Sequence, residues 1–175
     1  LLFRSSAVKA ENLVPKKKSV IKPLITNKLN GKIIRNITIE TLDPFGQSVT
    51  NEAKKPRNSF ERFGNSIHLK TKEFTIRNLL LFRKNSLCDS LLLKESERLI
   101  RSQRYIRRVQ IEPQMISAKS DSVDVIIRVL DSWSLIPNAN LTPSKATYEL
   151  LERNFLGSGH QFQNKITIIF LSGHE

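Results

Sequence analysis

The chain has 175 residues, 39% of them hydrophobic, with 29 Lys and Arg against 16 Asp and Glu, a formal net charge of +13. That length bounds it to one or two domains; no run of about 18 apolar residues exists to form a transmembrane helix, although the alternating strands of a membrane β-barrel would leave no such run. A single cysteine excludes an internal disulfide, and the charge points to an anionic partner: nucleic acid, anionic lipid, lipopolysaccharide or an acidic protein surface.

Residues 1–30 read as a basic tail or linker. Arg4, Lys9, Lys16, Lys17, Lys18, Lys22 and Lys28 stand there against Glu11 alone, while Pro15 and Pro23 prevent a continuous helix. The chain opens Leu-Leu-Phe with no methionine, as expected of a fragment or a processed chain. Val8-Lys9-Ala10 loosely resembles the small-x-small end of a signal peptide, with a plain charged tail as the other reading.

Lys32 to Leu42 reads as a strand. Ile33, Arg35, Ile37, Ile39 and Thr41 share one face, and Ile34, Asn36, Thr38, Glu40 and Leu42 the other, as expected for a sheet with helices on one side. Asp43-Pro44-Phe45-Gly46 supplies a turn. Residues 47–70 read as a long polar loop, anchored on the core by Phe60, Phe63 and His68.

Thr71 is expected to cap a helix over residues 72–83, with Glu73 in its first turn and Ile76, Leu79, Leu80 and Phe82 as its apolar surface. Asp89 or Ser90 caps the next helix, in which Leu92, Leu93, Leu99 and Ile100 face the core and Lys94, Glu97, Arg98 and Arg101 face water. Cys88, beside Leu87 and Leu91, reads as a small buried hydrophobe.

Tyr105 to Glu112 is a strand that Pro113 ends or marks as an edge, because proline lacks the ladder donor. Val123 to Leu130 is almost continuously apolar, as a central strand would be. The two are expected to pair antiparallel across Ser120-Asp121-Ser122. A break follows at Ile136-Pro137-Asn138. Ala146–Arg153 and Gln161–Leu171 then form two strands around Asn154-Phe155-Leu156-Gly157-Ser158-Gly159. Trp133 reads either as an anchor between the two parts or as a core residue.

The chain offers little chemistry. His68, His160 and His174 lack metal-ligand spacing, and one cysteine does not make a zinc site. No Gly-rich phosphate loop precedes a helix, and Gly157-Ser158-Gly159 reads as a hairpin turn, not a nucleophile elbow. Asp43, Asp121, Asp124 and Asp131 fall at strand ends or turns, where solvation accounts for them. Neither an enzyme, a cofactor nor a metal is expected. Aromatic residues do not interleave with the basic ones as a nucleic-acid stacking platform requires, so nucleic acid is the weaker partner.

Four segments point to a family. Gly31-Lys32-Ile33-Ile34-Arg35-Asn36-Ile37 resembles the opening strand of a POTRA (polypeptide-transport-associated) domain. Leu99 to Ile106 resembles its "leu-arg-x-x-x-tyr-phe" helix end, and Ser122-Val123-Asp124-Val125-Ile126-Ile127-Arg128-Val129 its closing strand. Leu150 to Phe162, containing Asn154-Phe155-Leu156-Gly157-Ser158-Gly159, resembles the hairpin that opens the β-barrel in BamA/TamA-like outer-membrane assembly and translocation proteins.

The resemblance covers residues 31–171. It implies an α+β fold: a β-α-α-β-β domain over 31–137 with a three-stranded mixed sheet and two helices on one face, then the first strands of a truncated barrel over 138–175. The 43–70 loop is longer than such domains usually carry. The implied function is binding of unfolded outer-membrane client polypeptides and accessory assembly proteins by strand addition, in the periplasm, with the missing barrel in the outer membrane. The edge Arg107, Arg108, Val109, Gln110 and Ile111 is the candidate binding strand. Lys16, Lys17, Lys18, Arg98, Arg101 and Arg104 are candidate anionic contacts. The alternative is a basic module that binds nucleic acid or anionic lipid.

Overall fold

The structure is a computed structural model that describes residues 29–50, 56, 58–117 and 120–170. Its elements run β1 (Ile33–Leu42), α1 (Ser59–Ile67), α2 (Glu73–Arg77), α3 (Ser90–Arg101), β2 (Ile106–Met115), β3 (Ser122–Asp131), β4 (Leu135–Thr142), β5 (Lys145–Phe155) and β6 (His160–Ile169). They form two three-stranded sheets, ordered β1-β3-β2 and β4-β5-β6.

The first sheet is mixed, as expected: β1 runs parallel to β3, and β2 runs antiparallel to it. Its central strand is β3, whose Val123, Val125, Ile127 and Val129 are fully buried on one face. Each such side chain contributes roughly 1.5–3 kcal/mol by leaving water. Ile76 of α2 and Leu93 and Ile100 of α3 join the same core. Cys88 is buried there too, as its apolar neighbours implied. Burial raises its thiol pKa.

Strand β1 departs from simple alternation. A bulge sets Ile34 opposite Val123 and Asn36 opposite Asp124, leaving Arg35 as the extra residue. One added residue shifts the pleat by one, so Ile34 and Ile37 both enter the core while Ile33 is half exposed. The expected grouping of Ile33 with Ile37 is therefore corrected.

Three further expectations change. The helix expected over 72–83 is one short turn, Glu73–Arg77, with Lys72 and not Thr71 at the N-cap position and no side-chain cap bond. The chain leaves it because Leu81 N–H turns toward α3 and donates to Ser96 Oγ at 2.9 Å. Ser96 is fully buried and donates in turn to Leu92 O, a polar core position that apolar periodicity missed. The 43–70 loop contains a helix, α1, capped by Asn58, whose side chain accepts from Glu61 N–H. The break expected at Ile136-Pro137-Asn138 is part of β4, which tolerates Pro137 because it lies at the sheet edge.

The second sheet is antiparallel and two-faced. The register aligns Pro137, Leu150 and Asn164, then Ala139, Tyr148 and Ile166, then Leu141, Ala146 and Ile168 across its three strands. Leu141, Tyr148, Leu150, Phe162, Ile166 and Ile168 on that face are all exposed. The opposite face carries Asn138, Asn140, Thr147, Glu149, Gln163, Lys165 and Thr167, with Ile136, Leu151 and Ile169 interrupting it.

Candidate functional site: an open strand edge and a buried joint

The two outer strands of the first sheet differ in their free sides. The segment Asn85–Cys88 runs along β1: Ile34 N–H donates to Ser86 O at 2.9 Å, Asn85 N–H to Ile34 O at 2.8 Å, and Cys88 N–H to Lys32 O at 2.7 Å. Among the described residues no strand pairs with the outer side of β2. Pro113 sits within β2 opposite Val125. A proline nitrogen has no hydrogen to give β3, so ladder alternation turns the N–H groups of Ile111 and Val109 to the outer side.

Of the candidate binding strand, Arg107 and Arg108 are exposed, Gln110 and Ile111 are half-buried, and Val109 is buried in the core. The outer face of the sheet carries a charge ladder. Arg128 donates to Glu40 of β1 at 3.0 Å and to Glu112 of β2 at 3.4 Å. Arg35 pairs with Asp124, holding that carboxyl below its usual pKa.

The candidate anionic contacts are dispersed. Lys16, Lys17 and Lys18 lie outside the described residues. Arg98 and Arg101 extend from α3 and pair with Glu95 and Glu97. Arg104 is exposed in the turn before β2.

A second constellation, largely missed in the sequence, joins the two sheets. Asp131 ends β3 and is fully buried, against the expectation that solvent satisfies it. An unpaired carboxylate there would be costly. Its Oδ2 accepts from Thr71 N–H at 2.8 Å and faces His68 Nε2 at 3.0 Å, and its Oδ1 accepts from Thr71 Oγ1 at 2.8 Å. Thr71 Oγ1 in turn accepts from Asn154 Nδ2 at 2.8 Å, and Asn154 Oδ1 accepts from Gly159 N–H at 2.8 Å. Thr71 thus serves the joint, not a helix cap. The signal in the sequence was Asn154 within the Asn-Phe-Leu-Gly-Ser-Gly turn.

The same turn docks through its glycines. Lys72 N–H and Thr75 Oγ1 both donate to Gly157 O at 2.9 Å. Gly157 has φ +71°, and a Cβ there would lie 2.3 Å from Lys70 O. Gly159 has φ +77°, and its Cβ would lie 2.8 Å from the Tyr105 hydroxyl. Positive φ and close approach together explain both glycines. Arg153 N–H donates to Ser134 O at 3.1 Å, bracing the connector between β3 and β4. Trp133, in that connector, packs on Phe45 with ring centroids 5.9 Å apart and donates to Leu135 O, so it is an anchor between the two parts.

The expected anchor of the 43–70 loop is also different. His68 does join the buried network. Phe60 and Phe63 are largely exposed, and α1 is held instead by Gly64 and Asn65. Asn65 accepts from Phe45 N–H at 3.2 Å and donates to Phe45 O at 2.9 Å. A Cβ at Gly64 would lie 2.8 Å from the Phe45 ring.

Two solved structures are similar to this chain. One is BamA from Haemophilus ducreyi lacking POTRA domains 1–3, at 12% identity and a TM-score of 0.47; the match covers 77% of this chain and 22% of that one. The other is POTRA1–3 of the periplasmic domain of Omp85 from Anabaena, at 12% identity and a TM-score of 0.39, covering 57% of this chain and 34% of that one. The chain therefore spans about a fifth to a third of the length of these structures. No protein-family model matches the sequence, and no curated protein matches it.

Proposed function

We propose that the chain is the periplasmic, POTRA-like part, with the first barrel strands, of an outer-membrane β-barrel protein that assembles, inserts or translocates other outer-membrane proteins. The observation that carries this is the asymmetry of the first sheet. The Asn85–Cys88 segment runs beside β1, whereas no strand among the described residues pairs with the outer side of β2. An unfolded client adds a strand there, along Arg107–Ile111. Main-chain bonding tolerates many client sequences, and the exposed Arg107 and Arg108 keep the free edge from pairing with copies of itself.

The sequence resemblance and the second sheet support the membrane half of the reading. A barrel wall needs an apolar face toward lipid and a polar face toward the lumen. β4–β6 meets that need, with Tyr148, Leu150 and Ile166 on one face and Glu149, Gln163 and Lys165 on the other. In this reading the docking domain runs from residue 31 to the end of β3 and β4–β6 open the barrel, so the boundary expected at 137 moves back to the start of β4 at Leu135. Lys16–Lys18, Arg98, Arg101 and Arg104 contact acidic partner or lipid surfaces. Arg98 and Arg101 give up their exposed Glu pairs at a cost of about 0–1 kcal/mol each.

Proline at Ile111 tests the edge. It removes an outward donor and spares the bonds to β3, whereas proline at Gln110 breaks the ladder and reports lost folding. A photoreactive residue at Arg107 reads client contact. The expected result is a native circular dichroism spectrum for Ile111→Pro with crosslinking to an unfolded outer-membrane polypeptide reduced to background. A native fold with unchanged crosslinking overturns the reading.

A further inference from the structure

Helix α1 is amphipathic, yet it does not bury its apolar stripe. Phe60, Phe63 and Ile67 recur at helical spacing and are 74%, 61% and 47% exposed, respectively. What seats the helix on the domain is the neighbouring strip of Gly64 and Asn65, against Phe45 and Trp133. A helix that served only to cover the core would be rolled the other way, with the phenylalanines inward.

The exposed stripe continues into the second sheet. An apolar hollow of about 280 Å³ runs from Ile67 and Leu69 to Leu150, Phe155, Leu156 and Phe162. Leu150 and Phe162 belong to the apolar face of that sheet, and Phe155 stacks on Phe162 with centroids 5.0 Å apart. The helix and the apolar sheet face therefore form one surface on the same side of the molecule. Aromatic residues (Phe60, Phe63, Trp133, Phe155 and Phe162) gather where the two meet. Basic side chains lie on the polar back of the helix and after it: Arg62 and Lys72 are exposed, whereas Lys70 pairs with Asp43 at 3.1 Å.

We propose that α1 is a membrane-surface helix. It lies in the plane of the lipid leaflet that adjoins the docking domain, with Phe60, Phe63 and Ile67 in the headgroup–acyl boundary and Arg62 and Lys72 toward anionic headgroups. The inference rests on reading β4–β6 as a barrel wall, because the wall's apolar face sets the lipid side. A helix at the end of that wall then sits at the interfacial depth, where an apolar stripe with a polar back is stable and aromatic residues concentrate. A second copy of the chain or the basic N-terminal segment would leave the continuity with the apolar sheet face unexplained.

The test is cosedimentation of the full chain with vesicles of phosphatidylethanolamine and phosphatidylglycerol. The variants are Phe60→Asp, Phe63→Asp and, on the sheet, Ile166→Asp. Both α1 positions are largely exposed, so neither change disturbs the core. Each is expected to lower vesicle partitioning about tenfold or more, because burial of one aromatic ring is worth that factor. In vesicles containing brominated acyl chains, quenching of Trp133 is expected to fall in parallel. Wild-type partitioning in both α1 variants overturns the proposal, as does an unvaried lack of vesicle binding by the wild-type chain. A loss of self-association, or of contact with the N-terminal segment, without a change in vesicle binding also overturns it. Loss with Ile166→Asp alone retains the barrel-wall reading and removes the helix from the membrane. Loss with the α1 variants alone retains the helix and removes the wall.

Discussion

Gly157→Ala should uncouple the two sheets. Gly157 sits at φ +71°, and the added Cβ would lie 2.3 Å from Lys70 O. The left-handed conformation costs an alanine roughly 1–2 kcal/mol. The clash is with backbone, so it cannot be relieved by a rotamer change, and the turn has to withdraw. Withdrawal breaks the bonds from Lys72 N–H and Thr75 Oγ1 to Gly157 O, each 2.9 Å long. These contribute about 0.5–1.5 kcal/mol apiece, giving a total of about 2–5 kcal/mol. Trp133, the single tryptophan, stands beside the joint and reports it by fluorescence. With a urea dependence of about 1–3 kcal/mol per molar, the Trp133 midpoint should fall by about 1–2 M. Ser158→Ala in the same turn removes only solvent-accessible bonds to Phe155 O and His160 Nδ1 and should stay within about 1 kcal/mol of wild type. A Gly157→Ala shift as small as that of Ser158→Ala would refute the account of the joint.

Asp131→Asn keeps the shape of the buried side chain but replaces one acceptor with a donor. Thr71 N–H, Thr71 Oγ1 and His68 Nε2 all point at the carboxylate, so one contact must break, at about 2–4 kcal/mol by thermal denaturation; a loss under about 1 kcal/mol would contradict the bonding described. The Arg35–Asp124 pair predicts a pH dependence of definite sign. Arg35 lowers the Asp124 pKa in the fold, so the pair's contribution is present above the ordinary carboxylate pKa and lost as pH falls through the lowered value. NMR titration should show the Asp124 midpoint rising in Arg35→Ala, and an unmoved midpoint would exclude the pair as the cause.

The fold of the first domain was legible where the pattern of side chains equals the pattern of burial. β3 read as central because Val123, Val125, Ile127 and Val129 are buried on one face while Ile126 and Leu130 thicken the other. The antiparallel pairing with β2 followed from the short polar link, and the edge position of β2 from Pro113. Errors arose where a single residue breaks the pattern. The extra residue in β1 exchanges Ile33 for Ile34 in the core, and alternation alone cannot register a bulge. α2 ends early because Leu81 N–H finds Ser96 Oγ, a tertiary partner with no local signature. β4 was hidden by Pro137 and two asparagines, tolerable only because the strand is an edge with an exposed polar face. Asp131 looked solvated because its burial depends on a loop from elsewhere in the chain, as the bond to Thr71 shows.

The joint gives the open edge a direction. β3 pairs with β2 and then, after only Ser132, Trp133 and Ser134, enters β4. A flexible hinge would need free backbone groups in that connector. Instead Ser132 N–H donates to Tyr105 O at 2.8 Å, and Ser134 O accepts from Arg153 N–H. Thr71, Asp131 and Asn154 lock the other side with bonds among groups that are each almost wholly buried. Rotation between the sheets would expose an unpaired carboxylate-bonding set to rearrangement, at several kcal/mol. The β2 edge therefore keeps a fixed angle to the apolar face of β4–β6. Under the function proposed above, a client strand added along Arg107–Ile111 inherits that angle, with orientation set by the Asn154–Gly159 turn.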